Sequence, residues 1–320
     1  MRHQRSILTA ITGMVMLIAA SAFPAAVSAA DDDEDQGPPP YTRQGADTCL
    51  KCHGDEAESP VLSIFKTPHA NIADERTPFA GAQCEACHGP GGEHGKRLRF
   101  GEKRKPIPGF APDSPWSTAR ENAVCQGCHE DPGHKFWNGS AHERQDVGCA
   151  DCHTIHAKRD PMTVEAEQPR VCVSCHVQQR AQISRAHGHP IRQGQMACSD
   201  CHEPHGSLTE AMLDRPTVNE TCYQCHAAKR GPFLWEHAPV SEDCTLCHEP
   251  HGSNHQAALT RQPPLLCQQC HSRAGHPSIG RTGSDLPSGS PSAFMLGGSC
   301  TNCHSQVHGS NHPSGANLSR

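Results

Sequence analysis

The chain has 320 residues, a formal net charge of −6 and a mean hydropathy of −0.63. Its 8 phenylalanines, 3 tryptophans and 2 tyrosines stand against 28 glycines and 27 prolines, too little apolar side chain to fill an ordinary core of that length. The acidic balance argues against nucleic acid as a partner held by charge.

Arg2 and Arg5 form a basic start, residues 7–20 an apolar stretch and Val27-Ser28-Ala29 a small-residue cleavage site, so residues 1–29 are expected to be a signal peptide. No Arg-Arg pair is present in it, which points to the general secretory route and a periplasmic protein. Residues 30–44 read as an acidic, proline-rich linker, with DDDEDQGPPP at 31–40 lacking any means of packing. Beyond residue 30 no apolar run reaches the length of a spanning helix and no series of alternating strands reads as a barrel, so no direct lipid contact is expected.

From residue 49 onward one motif organises the chain. C-x-x-C-H occurs ten times and takes all 20 cysteines. The first five copies are Cys49, Cys52 and His53; Cys84, Cys87 and His88; Cys125, Cys128 and His129; Cys149, Cys152 and His153; Cys172, Cys175 and His176. The second five are Cys198, Cys201 and His202; Cys222, Cys225 and His226; Cys244, Cys247 and His248; Cys267, Cys270 and His271; Cys300, Cys303 and His304. Two cysteines three apart share one face of a helical turn, where both thiols reach the vinyl groups of one porphyrin and the next histidine points back at the iron. Zinc ribbons and redox dithiols share the C-x-x-C spacing. Ten copies with no stray cysteine, in an exported chain, favour ten covalently bound c-type haems, each with that histidine as proximal ligand. Their mass would supply the apolar interior that the side chains lack, and the apoprotein is expected to be largely unfolded.

Taken in pairs, the motifs repeat with a period of 45 to 50 residues across the centre, giving five two-haem units. Each unit carries two further histidines: His69 and His94, His142 and His156, His189 and His205, His237 and His251, His276 and His308. These ten are the expected distal ligands. His189 is favoured over His187 by the His-Pro context it shares with His276, while His251 against His255 and His308 against His312 stay open. Outside the motifs and residues 1–29 there are fourteen histidines for ten iron positions, so no iron need be left open to substrate. Of the methionines beyond residue 29, Met162, Met196, Met212 and Met295, none recurs at a fixed place in the repeat, so bis-histidine ligation is expected throughout. His156, His205 and His251 stand too close to their own motifs to reach the far side of the same iron and are expected to serve neighbouring haems.

The fold class expected is that of a multihaem cytochrome c: mostly loop with short α-helices, negligible β structure and a haem-filled core. Helical propensity is strongest at residues 118–124 and 163–179. Two loops stand out, a basic island within 89–115 (Lys96, Arg97, Arg99, Lys103, Arg104, Lys105) and a stretch at 277–299 with Phe294-Met295-Leu296. No C-x-x-C-K motif is present and only Tyr41 and Tyr223 are available for a crosslink, so no catalytic residue is assigned and an electron-transfer protein is expected. A soluble electron shuttle and, behind it, an oxidoreductase acting on nitrogen or sulfur oxyanions are the competing readings.

The phrases FKTPHA (65–70), CEACHGPGGEH (84–94), CSDCHEPHGS (198–207) and CHSQVHGSNHPSG (303–315) resemble the periplasmic decahaem cytochromes of the MtrA/DmsE type, including their iron-oxidation relatives. That resemblance implies an elongated array of two pentahaem halves, 45–180 and 181–320, inserted in an outer-membrane β-barrel partner. It further implies an extracellular multihaem cytochrome or terminal reductase beyond the haem at Cys300, and a periplasmic or inner-membrane cytochrome as donor or acceptor at the Cys49 end.

Overall fold

In nine of the ten motifs the histidine amide donates to the carbonyl of the first cysteine at 2.9–3.0 Å, and the tenth, Cys84–His88, is itself a helix. This single i to i+4 bond is what a C-x-x-C-H segment needs to hold both sulfurs on one side of a turn. The computed structural model describes residues 39–56, 61–110, 114–271 and 300–320. The expected signal peptide at 1–29, residues 30–38 of the expected linker, His276 and Phe294-Met295-Leu296 lie outside the described residues. Pro39–Arg320 forms one compact unit.

Four of the five odd motifs are built differently from the even ones, and the ninth, Cys267, opens a 3-10 turn (Cys267–Gln269) as the later even motifs do. Cys49, Cys125, Cys172 and Cys222 lie in the last turns of helices α1 (Ala46–Leu50), α4 (Thr118–Gln126), α7 (Gln168–Cys175) and α9 (Val218–Tyr223). Cys84 and Cys149 instead open α2 (Cys84–His88) and α6 (Cys149–Cys152), and Cys198, Cys244 and Cys300 open single 3-10 turns. Between them lie α3 (Gly92–Gly95), α5 (Ala141–Arg144), α8 (Val177–Gln182) and α10 (Ala238–Glu242). The single helical stretch expected at 163–179 is divided: a 3-10 turn at Pro161–Thr163, then α7, then α8. His176 makes the break, leaving the helical region at φ −81 and ψ 67. Among the described residues, extended pairing is confined to isolated bridges, such as His202 with Leu213 and its repeat equivalent His248 with Leu259.

The buried apolar residues are few: Ala46, Phe79, Trp137, Met162 and Ala197, and among the described residues no large side chain is fully buried. Several buried positions are polar and each has a local task. Asn122, three residues before Cys125, accepts the Cys149 amide at 2.8 Å, and Asn219, three before Cys222, accepts the Cys244 amide at 2.8 Å. Gln168, four before Cys172, accepts the Ser199 amide at 3.0 Å. In each case the odd helix of a unit supplies the oxygen that caps the opening turn of the even motif, satisfying an orphan N–H. Among the described residues no helix is long and apolar enough to cross a membrane.

Candidate haem-binding sites

Nine proximal histidines each stand opposite an expected distal histidine across a nearly constant gap, and His129 has a second ring, His134, at 5.8 Å. The ring centroids are 6.3 Å apart for His53 and His94, 6.1 Å for His88 and His156, 6.1 Å for His129 and His69, and 6.1 Å for His153 and His205. They are 6.1 Å apart for His176 and His142, 5.9 Å for His202 and His251, 6.1 Å for His226 and His189, 6.2 Å for His248 and His308, and 6.1 Å for His271 and His237. An imidazole nitrogen binds a first-row metal at about 2 Å and its ring centre lies about 1 Å behind, so two imidazoles on opposite sides of one iron stand about 6 Å apart. The residues present therefore fit a six-coordinate haem iron at each pair. The tenth proximal residue, His304, donates Nδ1–H to the Asn317 carbonyl at 2.6 Å. Its expected partner, His276, is not described.

The pairing crosses unit boundaries by a simple rule. The upstream histidine of a unit faces the first motif of the next unit, as His69 does His129, His142 does His176, His189 does His226 and His237 does His271. The downstream histidine faces the second motif of the previous unit, as His156 does His88, His205 does His153, His251 does His202 and His308 does His248. At the first unit there is no previous one, and His94 turns back on His53 of its own unit.

The tautomers are set by the second ring nitrogen. Nδ1–H of His142, His189 and His237 donates to the carbonyls of Pro204, Pro250 and Val307, each at 2.9 Å. Nδ1–H of His88, His202 and His248 donates to Pro108, Ala211 and Ala257 at 3.0, 2.8 and 2.9 Å, and that of His94 to Lys105 at 2.7 Å. Each such bond leaves Nε2 as the unprotonated nitrogen that a metal requires. Burial, first among the causes, holds His69, His156, His205, His251 and His308 below the ordinary imidazole value, which again favours the neutral, ligating form.

The cysteines supply a second register. The first sulfurs of the two motifs in a unit lie within hydrogen-bonding reach: Cys49 with Cys84, Cys125 with Cys149, Cys172 with Cys198, Cys222 with Cys244 and Cys267 with Cys300. Between units the second sulfur of the even motif takes over and stands near both cysteines of the next motif: Cys87 near Cys125 and Cys128, Cys152 near Cys172 and Cys175, Cys201 near Cys222 and Cys225, and Cys247 near Cys267 and Cys270. Side by side, two free thiols cannot both ionise easily. The hydrogen bond from its neighbour holds Cys125 down at about 7 while Cys149 is pushed up, and burial with the Cys49 contact pushes Cys84 to about 11.

The surplus histidines have other places. The His187 backbone forms a bridge with Ser253, which seats its neighbour His189 against His226. The amides of His255 and His312 donate to Ser253 Oγ and Ser310 Oγ at 3.0 and 3.2 Å. His134 stands 4.3 Å from the His205 ring and 5.8 Å from His129, with Nδ1 on Asp131. The basic island serves its own backbone: the carbonyls of Lys105 and Pro108 are the acceptors named above, while Lys96 pairs with Glu93 and Glu102. Sequence reading missed the buried Asn122, Asn219 and Gln168; the signal was a polar residue one turn before an odd motif.

The doubled CXXCH motif family matches residues 189–231 and 237–276, each match opening on an upstream histidine, His189 and His237. The cytochrome c-type NrfB-like family matches residues 84–170. Among curated proteins, the chain is 50% identical over 283 residues to the multiheme cytochrome MtrA of Shewanella baltica (strain OS185), covering 88% of this chain and 83% of that protein. It is 28% identical over 164 residues to the cytochrome c-type protein NrfB of Escherichia coli O6:H1, covering 48% of this chain and 78% of that protein. The NrfB of Haemophilus influenzae is 29% identical over 155 residues, 41% of this chain and 65% of that protein.

Proposed function

The chain belongs to the MtrA family of multihaem cytochromes, electron-transfer proteins with covalently bound haem, and from that membership we propose that it is a ten-haem conduit between the periplasm and the cell exterior. The observation that carries the proposal is the set of nine facing histidine pairs, because a pair that closes both axial positions leaves an iron only electron exchange. Each haem, when bound, supplies an iron that gains and loses one electron without a change of ligands. His69, His94, His142, His156, His189, His205, His237, His251 and His308 are the distal ligands of this account, and His276 completes the set at His304.

The protein's own part is to fix the imidazoles, hold their tautomers and bring successive attachment sites together. The alternation of first-sulfur and second-sulfur contacts supports an array in which each attachment site adjoins the next along the chain. The export signal read in residues 1–29 and the family membership support a periplasmic location reached by the general secretory route. A β-barrel partner in the outer membrane would meet the demands of lipid, and the chain those of the electrons. An extracellular cytochrome or reductase would lie at the Cys300 end and a periplasmic or inner-membrane cytochrome at the Cys49 end, with 45–180 and 181–320 as pentahaem halves. The test is reconstitution: with its barrel in liposomes, the holoprotein reduces an enclosed dye from an external donor. Correct insertion without transfer would sink the conduit and leave a soluble shuttle.

A further inference from the structure

Haem electronics respond to what the axial imidazoles donate to, and one pair differs from the others. His153 Nδ1 lies 2.5 Å from Asp160 Oδ2, a carboxylate, where His88, His202, His248 and His304 meet backbone carbonyls. The facing ring, His205, has its Nδ1 3.2 Å from Glu203 Oε1. Among the described pairs, this is the one with a carboxylate on both rings. Asp160 is held for the purpose: its other oxygen accepts the amides of Thr154 at 3.2 Å and Met162 at 3.1 Å, and its side chain is only 17% exposed. Neither Asp160 nor Glu203 pairs with a lysine or arginine among the described residues. A third carboxylate, Asp131, holds His134 at 3.0 Å, and that ring packs 4.3 Å from His205.

A carboxylate on Nδ1–H draws the proton away and makes the imidazole a stronger donor, which favours the ferric over the ferrous iron. Negative charge beside the site acts in the same sense, because the ferric centre carries one more positive charge. We propose that Asp160 and Glu203 are positioning residues that make the haem attached at Cys149 and Cys152 the lowest-potential member of the array. An electron entering from either end would then meet its highest-energy site at the fourth attachment position, near the junction where His205 reaches back from the following unit. The inference rests on the axial pairing proposed above.

The test is a potentiometric titration of the fully loaded holoprotein carrying Asp160→Asn, Glu203→Gln and both, with Glu249→Gln as control. Glu249 is the repeat equivalent of Glu203 and its charge reaches His251, but it makes no close ion pair with that ring among the described contacts. Asparagine keeps an acceptor for Nδ1–H and removes the charge. At the potential where the most negative component of the unsubstituted protein is half reduced, the double variant should raise the reduced-to-oxidised ratio by about tenfold. The single variants should fall between, and Glu249→Gln should leave the component in place. An unmoved component in a double variant with all its haems overturns the inference, as does an equal movement in Glu249→Gln. Paramagnetic resonance of the same samples keeps the two readings apart: low-spin signals throughout uphold the axial pairing whatever the potentials do, and a high-spin signal in the unsubstituted protein would remove the premise.

Discussion

His142 donates its Nδ1–H to the carbonyl of Pro204 at 2.9 Å, and Pro204 is the residue just before His205. At this junction the histidine that one unit sends forward, to face His176, is tied to the segment that the next unit sends back, to face His153. His189 with Pro250 and His237 with Val307 repeat the clasp beside His251 and His308. The exchange of histidines and the hydrogen bond between the exchanged segments make each unit depend on both its neighbours, as in stacked repeats.

Replacing His142 by alanine is therefore expected to convert one haem of the ten from low-spin to high-spin, and to loosen the junction on which His205 is carried. Replacing His187 or His255, whose described contacts are made by their backbones, should convert none. Low-temperature paramagnetic resonance of the oxidised proteins gives the count.

Asn219→Ala removes the acceptor of the Cys244 amide and the donor to the Val240 and Ser241 carbonyls at 2.9 and 3.2 Å. Leaving such partly buried groups unpaired costs about 1–3 kcal/mol. Denaturant unfolding of the holoprotein should show that loss with haem content and spectrum unchanged.

Gly252 follows His251 at φ +125, and a Cβ there would stand 2.5 Å from the Gln182 carbonyl oxygen. Both the left-handed backbone and the close approach exclude a side chain. Gly252→Ala should destabilise by about 2 kcal/mol or more and displace His251 from His202, which a melting curve read at the Soret band would report.

Acid should act on the buried distal rings only below their ordinary range. Burial, and then the charge of His88 or His202, lowers His156 and His251 below the ordinary 6.5. Because their folded values are depressed, the stability that these neutral rings contribute is complete above 6.5 and is lost as the pH falls through the depressed values. An optical titration should hold its low-spin spectrum at neutral pH and gain high-spin absorption only on the acid side of 6.5; conversion on the alkaline side would contradict this.

Much of this site was legible in the chain because covalent chemistry wrote it there. Cys198, Cys201 and His202 identify an attachment site without any knowledge of packing, and so do the other nine motifs. The candidate distal histidines could be named from repeat position, and the structure sets His189, rather than His187, against His226. Their partners could not be named, since the facing of His205 with His153 joins residues whose motifs are not neighbours in the repeat. The division of 163–179 was only half hidden: Pro169, in the first turn of α7, marks where that helix starts, whereas no breaker residue in the sequence marks the end at His176. Asn122 and Asn219 carried no motif, only a position one turn before a cysteine, and their role appears once the even motif is seen against the odd helix.

The central claim, an array in which every iron is closed by two imidazoles, is tested most directly by haem quantitation and paramagnetic resonance on one oxidised, intact sample. The account predicts ten covalent haems per chain, all giving low-spin ferric signals. A fully loaded protein with a high-spin ferric signal integrating to one haem or more would contradict it.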